Sequence, residues 1–207
     1  MTIIKTTMLS AMLAFSFSSF SQTNSPGQFV VETFFGGPNT VKAFAVLTTS
    51  VYDLLPDAKN TTTGFGPIGG RFEYLITEKI GLGFETAFTK AESITTYSSS
   101  DMNGDPTTES VMYSQTKIGF MPAIFVHFVD NDQWDVFFEG GMGYKINNRT
   151  FDFSESTIAT EEIKSVIPIS ARVAIGARYY ITPNFAVNAQ FGVGNSGVLQ
   201  GGLTYRR

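Results

Sequence analysis

Residues equipped for chemistry are few in this chain. It has one histidine, His127, and no cysteine among 207 residues, so a Cys/His zinc site is excluded. Any imidazole-based proton relay would rest on His127 alone. The stretch "SDMNGDPTTE" gathers Asp101, Asn103, Asp105 and Glu109, oxygen donors of the kind calcium takes. Gly104 falls at the fourth position of that loop, however, where an EF-hand needs glycine at the sixth, and Met112 stands at the closing glutamate position. A solvated turn is the better reading. A second acidic segment holds Asp152, Glu155, Glu161 and Glu162 and could meet divalent ions or a cationic partner, although such runs are commonly solvated loops. "GFGPIGG", residues 64–70, lacks the lysine and following helix of a phosphate loop. No catalytic constellation, cofactor site or metal site is expected.

Other charged residues carry a pattern. Glu32, Glu73, Glu85 and Glu139, with Arg71, Lys117, Arg172 and Arg178, recur within otherwise apolar segments, four of each sign. They share parity with Gly69, Gly81, Gly83, Gly119, Gly141, Gly143, Gly176 and Gly202. Buried charges persist only when paired and hydrogen-bonded, so the chemistry this set can do is ion pairing in a confined space that small neighbours leave open.

The elements that must position these charges are strands. From residue 27 the dominant period is two, and no helical stripe emerges. The alternation predicts eight strands, about 27–36, 64–77, 79–97, 108–129, 133–150, 163–182, 184–194 and 197–206, several longer than the ~9–11 residues that cross a bilayer. Tight turns fall at Thr77-Glu78-Lys79, Asp130-Asn131-Asp132 and Thr182-Pro183-Asn184. Longer connections, 37–63, 98–107 and 151–162, alternate with them, together with a short one at Asn195-Ser196. Short turns at one end and longer loops at the other are the layout of an outer-membrane barrel with both termini in the periplasm. The apolar segment "KAFAVLTTSVYDLL", residues 42–55, would extend a strand or fold over the mouth. Pro122 within the fourth strand predicts a bulge.

Volume decides which face is dry. The apolar face carries Phe35, Phe72, Tyr74, Phe84, Phe88, Phe120, Phe128, Trp134, Phe138, Tyr144, Tyr179, Phe185, Phe191 and Tyr205. An eight-stranded barrel encloses too little space for that many rings, so they must point outward to lipid and the charges inward. A soluble lipocalin-like carrier would require the reverse. Phe34, Phe125, Phe137 and Tyr180 share the inner face and would fill its ends. Tyr74, Phe128, Trp134, Tyr179, Phe185 and Tyr205 cluster near the short turns, where an interface girdle would lie.

The first residues, "MTIIKTTMLSAMLAFSFSSFSQ", have the layout of a secretory signal, with cleavage expected between Ser21 and Gln22. The domain reading is therefore a signal peptide at 1–21 and one barrel domain at 22–207. The net charge of −4, without a basic stripe, excludes a nucleic-acid surface.

The stretches "GPIGGRFEYLITEKIGLGFETAFTKAE", "FFEGGMGYK" and "ARVAIGARYYITPNFAVNAQFGVGNSGVLQGGLTYR" resemble small outer-membrane β-barrel proteins of the OmpX and OmpA transmembrane-domain type, especially those of Bacteroidetes. The resemblance implies an all-β, eight-stranded antiparallel up-and-down transmembrane β-barrel in a Gram-negative outer membrane. It also implies contact with outer-membrane lipid and lipopolysaccharide, and insertion by the outer-membrane assembly machinery. That machinery reads an aromatic-ended last strand; here Leu203 and Tyr205 fit, but Arg206 and Arg207 follow. No peptidoglycan-binding domain after the barrel is expected. Some small barrels modify lipid A with a histidine near the outer interface, whereas His127 falls near a short turn, on the inner face. The function expected is a structural or surface-interaction role through the outer loops, for a partner the sequence does not name. A narrow pore for ions or small solutes is the alternative, ahead of a lipid A-modifying enzyme or a soluble carrier.

Overall fold

The computed structural model describes residues 24–55, 57–100, 103–154, 161–164 and 168–207. The expected signal segment 1–21 lies outside them, as do Asp101 and Glu155. The strands are β1 (Phe29–Gly37), β2 (Lys59–Leu75), β3 (Ile80–Ser100), β4 (Pro106–Asp130), β5 (Trp134–Phe153), β6 (Glu161–Lys164), β7 (Ile169–Tyr180), β8 (Phe185–Gly194) and β9 (Leu199–Arg206). All pairings are antiparallel, and β9 returns to β1 to close the sheet. β6 lies along Asn148–Phe151 of β5, and β7 along Trp134–Tyr144 of the same strand. The two are pieces of one wall position, and the barrel is eight-stranded. The strand predicted over 163–182 is found as these two described stretches, with residues 165–167 outside the described ones.

The period-two pattern of the sequence becomes the two sides of this wall. Along β7, Ser170, Arg172, Ala174, Arg178 and Tyr180 are buried, while Val173, Ile175 and Tyr179 face out. Outward rings meet across strands: Phe72 stacks on Phe84 at 5.6 Å, and Phe84 lies 5.4 Å from Phe120. Such pairs each add roughly 0.2–1 kcal/mol to strand pairing. At the short-turn end, side chains fasten the hairpins. Thr77 Oγ1 accepts from the backbone of Ile80, Asn131 Oδ1 from that of Trp134, and Thr182 Oγ1 from that of Phe185, at 2.9, 2.9 and 3.0 Å.

Three local expectations are corrected. Pro122 causes no bulge: the β4–β5 register is the same on both sides of it, Phe120 opposite Tyr144 and Ala123 opposite Gly141. Its ring faces outward, and the register shifts occur instead between Phe65 and Ile68 and between His127 and Val129. The strands around the outer loops are longer than the pattern indicated, with β2 starting at Lys59 and β3 running to Ser100. The expectation of no helix fails at α1 (Thr40–Thr49), which is followed by a 3-10 turn over Ser50–Leu54. Asn39 caps α1 by accepting from Lys42 N at 2.8 Å. Val41, Ala45 and Thr49, four residues apart, form its buried stripe. That stripe packs on the inner side of the projecting wall, against Ala91 of β3 and Tyr113 of β4.

Candidate functional site

The inward residues of the wall converge on two guanidinium groups. Arg178, fully buried, donates from Nε to Glu32 at 2.8 Å, from Nη1 to Asp135 at 2.7 Å and from Nη2 to Glu73 at 2.7 Å. Its guanidinium carbon also lies 4.1 Å from the centre of the Phe137 ring. Arg71 donates to the second oxygen of Glu32 and, from Nε, to Glu85 at 3.1 Å, with Glu139 at 3.2 Å. Its remaining donors meet Gln190, at 2.8 Å, and Gln200. Glu32 therefore bridges the two arginines. All five donors of a guanidinium point outward in a fixed planar fork, so one arginine can hold three carboxylates only where several strands present them at one level.

Inward glycines and small residues make the room. A Cβ at Gly81 would stand 2.0 Å from Glu73 Oε1, and one at Gly176 would stand 2.4 Å from the Phe137 ring. The charged and aromatic side chains occupy the volume those glycines leave.

His127 is buried and lies between two acids of the same network. Nδ1 is 2.6 Å from Asp135 and Nε2 is 2.6 Å from Glu73. Asn24 reaches Nδ1 at 3.2 Å, while its side-chain oxygen accepts from Arg206 at 2.9 Å. Arg206 in turn lies over the Tyr180 ring at 3.9 Å. Residues 24–28 thus tuck under the short-turn end of the barrel, and the last strand reaches inward to hold them.

No protein-family model matches the chain, and no curated protein does. Solved structures similar to it are outer-membrane β-barrels. The N-terminal β-barrel domain of OprF from Pseudomonas aeruginosa has 14% identity over 88% of this chain and 98% of that one, at a TM-score of 0.41. The outer membrane protein OprG from Pseudomonas aeruginosa has 10% identity over 89% and 97%, at 0.44. Ail, the attachment invasion locus protein of Yersinia pestis, has 10% identity over 88% and 99%, at 0.40. The barrel assignment rests on the strand pairing of this chain itself.

Of the eight charges selected by parity, the structure brings together Glu32, Arg71, Glu73, Glu85, Glu139 and Arg178. Arg172 sits at their edge. It donates to Gly197 O and to Gln190 Oε1 at 2.8 Å each, and its Nε is 3.7 Å from Glu85, beyond hydrogen-bonding distance. Lys117 stands apart: its ammonium donates to the backbone oxygen of Asn195 at 2.8 Å and has no carboxylate within 4.0 Å among the described residues. Sequence reasoning missed Asp135, whose parity was correct but whose place beside a turn kept it out of the charge count. It also missed Gln190, Gln200 and Ser196, which bond Arg71, Arg172 or Glu85 and carry no charge to betray them. Arg206, set aside as a departure from the C-terminal pattern, shares inward parity with Gly202 and Thr204.

Around the outside, Tyr74, Phe128, Trp134, Tyr179 and Phe185 are 36–57% exposed at the short-turn end. Tyr205 is half-buried, its ring 5.1 Å from Phe185, and Trp134 lies 4.9 Å from Tyr179. At the opposite end, Thr49 of α1 bonds Ser93 of β3 and Asn60 of β2, at 2.9 and 3.0 Å. α1 is thereby tied to the inner wall above the charges.

Proposed function

We propose that the chain is an integral outer-membrane barrel whose lumen is closed by its own side chains and which acts through its outer end. The observation carrying this reading is the sidedness of the wall. Arg178 is fully buried among three carboxylates, while Phe35, Phe120, Phe138, Phe185, Phe191 and Leu203 on the other side are 42–64% exposed. In water such a belt would drive aggregation; in a bilayer it is the surface a closed barrel must present. A water-soluble ligand carrier would need the opposite sidedness. The aromatic set at the short turns fits a membrane interface on the periplasmic side.

Function then lies with what projects outward: the extended ends of β2 to β5 and α1. Outer-membrane lipid and lipopolysaccharide surround the wall, the assembly machinery inserts it, and a partner outside the cell meets the loops. The role is structural or recognitive, without catalysis. Single-channel recording on folded protein in planar bilayers tests the closed lumen. The expected result is silence over many insertions; discrete steps that change with Arg71→Ala or Glu139→Ala would establish the pore instead.

A further inference from the structure

We infer that the outer half of the lumen holds a binding site for a small oxyanion, a phosphate group above all, formed by Lys117, Lys145, Ser170, Arg172 and Asn195. Contacts around the β8–β9 turn gather these residues: Lys117 donates to Asn195 O and Arg172 to Gly197 O, at 2.8 Å each. Gly119 of β4 pairs with Lys145 of β5, and Gly143 and Gly141 of β5 pair with Ser170 and Arg172 of β7. Asn195, in the β8–β9 turn, donates its backbone N–H to Ala171 O at 3.2 Å. Its side chain crosses to β4 and fills the space over Gly119, where a Cβ would stand 1.8 Å from Nδ2.

Four buried side-chain atoms in this group lack partners. Asn195 is 5% exposed, Ser170 3% and Arg172 1%. Both side-chain atoms of Asn195, Ser170 Oγ and Arg172 Nε make no hydrogen bond among the described residues. Buried polar atoms are bonded in the large majority of cases, so orphans on Asn195 and on the Ser170–Arg172 segment it is bonded to mark a missing partner. Neither Lys117 nor Lys145 has a carboxylate within 4.0 Å among the described residues, although both face the lumen. The nearest acids are held by other groups, Glu85 by Arg71 and Ser196 and one oxygen of Glu139 by Arg71 and Gln190, while Glu139 Oε1 makes no hydrogen bond among the described residues. Ammonium, guanidinium N–H, hydroxyl and amide N–H are donors that an oxyanion satisfies, and the protonated oxygen of a hydrogen phosphate can donate to Asn195 Oδ1. The two lysines are half-buried and so keep the site in contact with solvent.

The phosphate has two sources, free in solution or on a lipid headgroup, and one titration separates them. Folded protein in a nonionic maltoside micelle is titrated with inorganic phosphate by calorimetry, and in parallel with the same micelles doped with phosphatidic acid. Saturable phosphate binding is expected, weakened about tenfold or more in Lys117→Gln/Lys145→Gln, since each charge-assisted bond carries about that factor. Lys42→Gln, exposed on α1 and away from the site, is expected to bind as the parent does. Saturation by the doped micelles alone, lost in the same double variant, assigns the site to a headgroup. Should that variant fail to fold, Asn195→Asp places a carboxylate among the donors and is expected to abolish binding. No saturation by either probe, or equal binding by parent and variant, overturns the site. The site depends on lumen geometry and not on the membrane, so its failure is distinct from failure of the outer-membrane reading.

Discussion

At the scale of single residues, the lumen sorts its cations into those that hold acids and those that do not. Arg178 alone neutralises parts of Glu32, Glu73 and Asp135. Removing one partner from a buried ionic group leaves uncompensated charge, a loss of about 3–5 kcal/mol. Arg178→Met is therefore expected to lower the free energy of unfolding in urea, measured on the folded barrel in micelles, by that amount, with Lys117→Met, whose ammonium meets only a backbone oxygen, well below half of it. Equal losses would mean that the carboxylate contacts contribute little. Gly81→Val makes a related test of space. Its side chain would displace the Glu73 carboxylate from both Arg178 and His127, and overpacking of this kind costs typically 1–3 kcal/mol. Thermal unfolding should show the drop, and an unchanged midpoint would show that Glu73 can move freely.

At the scale of elements, the barrel and α1 differ in what holds them. The wall is a closed ladder of antiparallel pairs, whereas α1 is held by a narrow stripe of Val41, Ala45 and Thr49 on Ala91, Tyr113 and Ser93. Deleting residues 40–54 and joining the ends with a short glycine-serine linker should leave a barrel that still migrates as a folded species on unheated gels. Ala45→Glu should instead free α1 and expose the Ser50–Leu54 segment to protease; resistance equal to the parent would place the stripe elsewhere. The same contrast explains what the sequence made legible. Strands wrapping a narrow lumen alternate in residue size as well as polarity, and that double signal reads clearly from Phe72 against Arg71 or from Ile175 against Gly176. α1 lies on the inner wall of an aqueous mouth, so only one residue in four is buried while Phe44, Val46 and Leu47 remain exposed. Apolar residues on both sides of the helix blurred the stripe, although Asn39 as a cap with Val41, Ala45 and Thr49 spaced behind it was a usable signal. Gln190 and Gln200 escaped notice because a neutral amide looks the same on a wet surface and inside an ion network.

For the molecule as a whole, everything turns on an exterior that is apolar around the waist and polar at both ends, enclosing a lumen crossed by ion pairs. A closed antiparallel barrel satisfies all of its backbone groups internally, which is what lets such a surface sit in hydrocarbon. The two ends are also chemically distinct. One has three short turns and a set of aromatic rings, and the other has long strand extensions with α1 against their inner side. The lack of cysteine makes the most direct measurement simple. Single cysteines are placed at Ser100, at the tip of the β3–β4 extension, and at Asp132, in the short β4–β5 turn, both exposed. Intact Gram-negative cells expressing each variant are treated with a membrane-impermeant maleimide. Labelling of Ser100→Cys, with Asp132→Cys labelled only after the outer membrane is opened, is the result predicted for an outer-membrane barrel with its extensions facing out. Protection of both sites until the membrane is opened, with the protein recovered in the soluble periplasmic fraction, would contradict it.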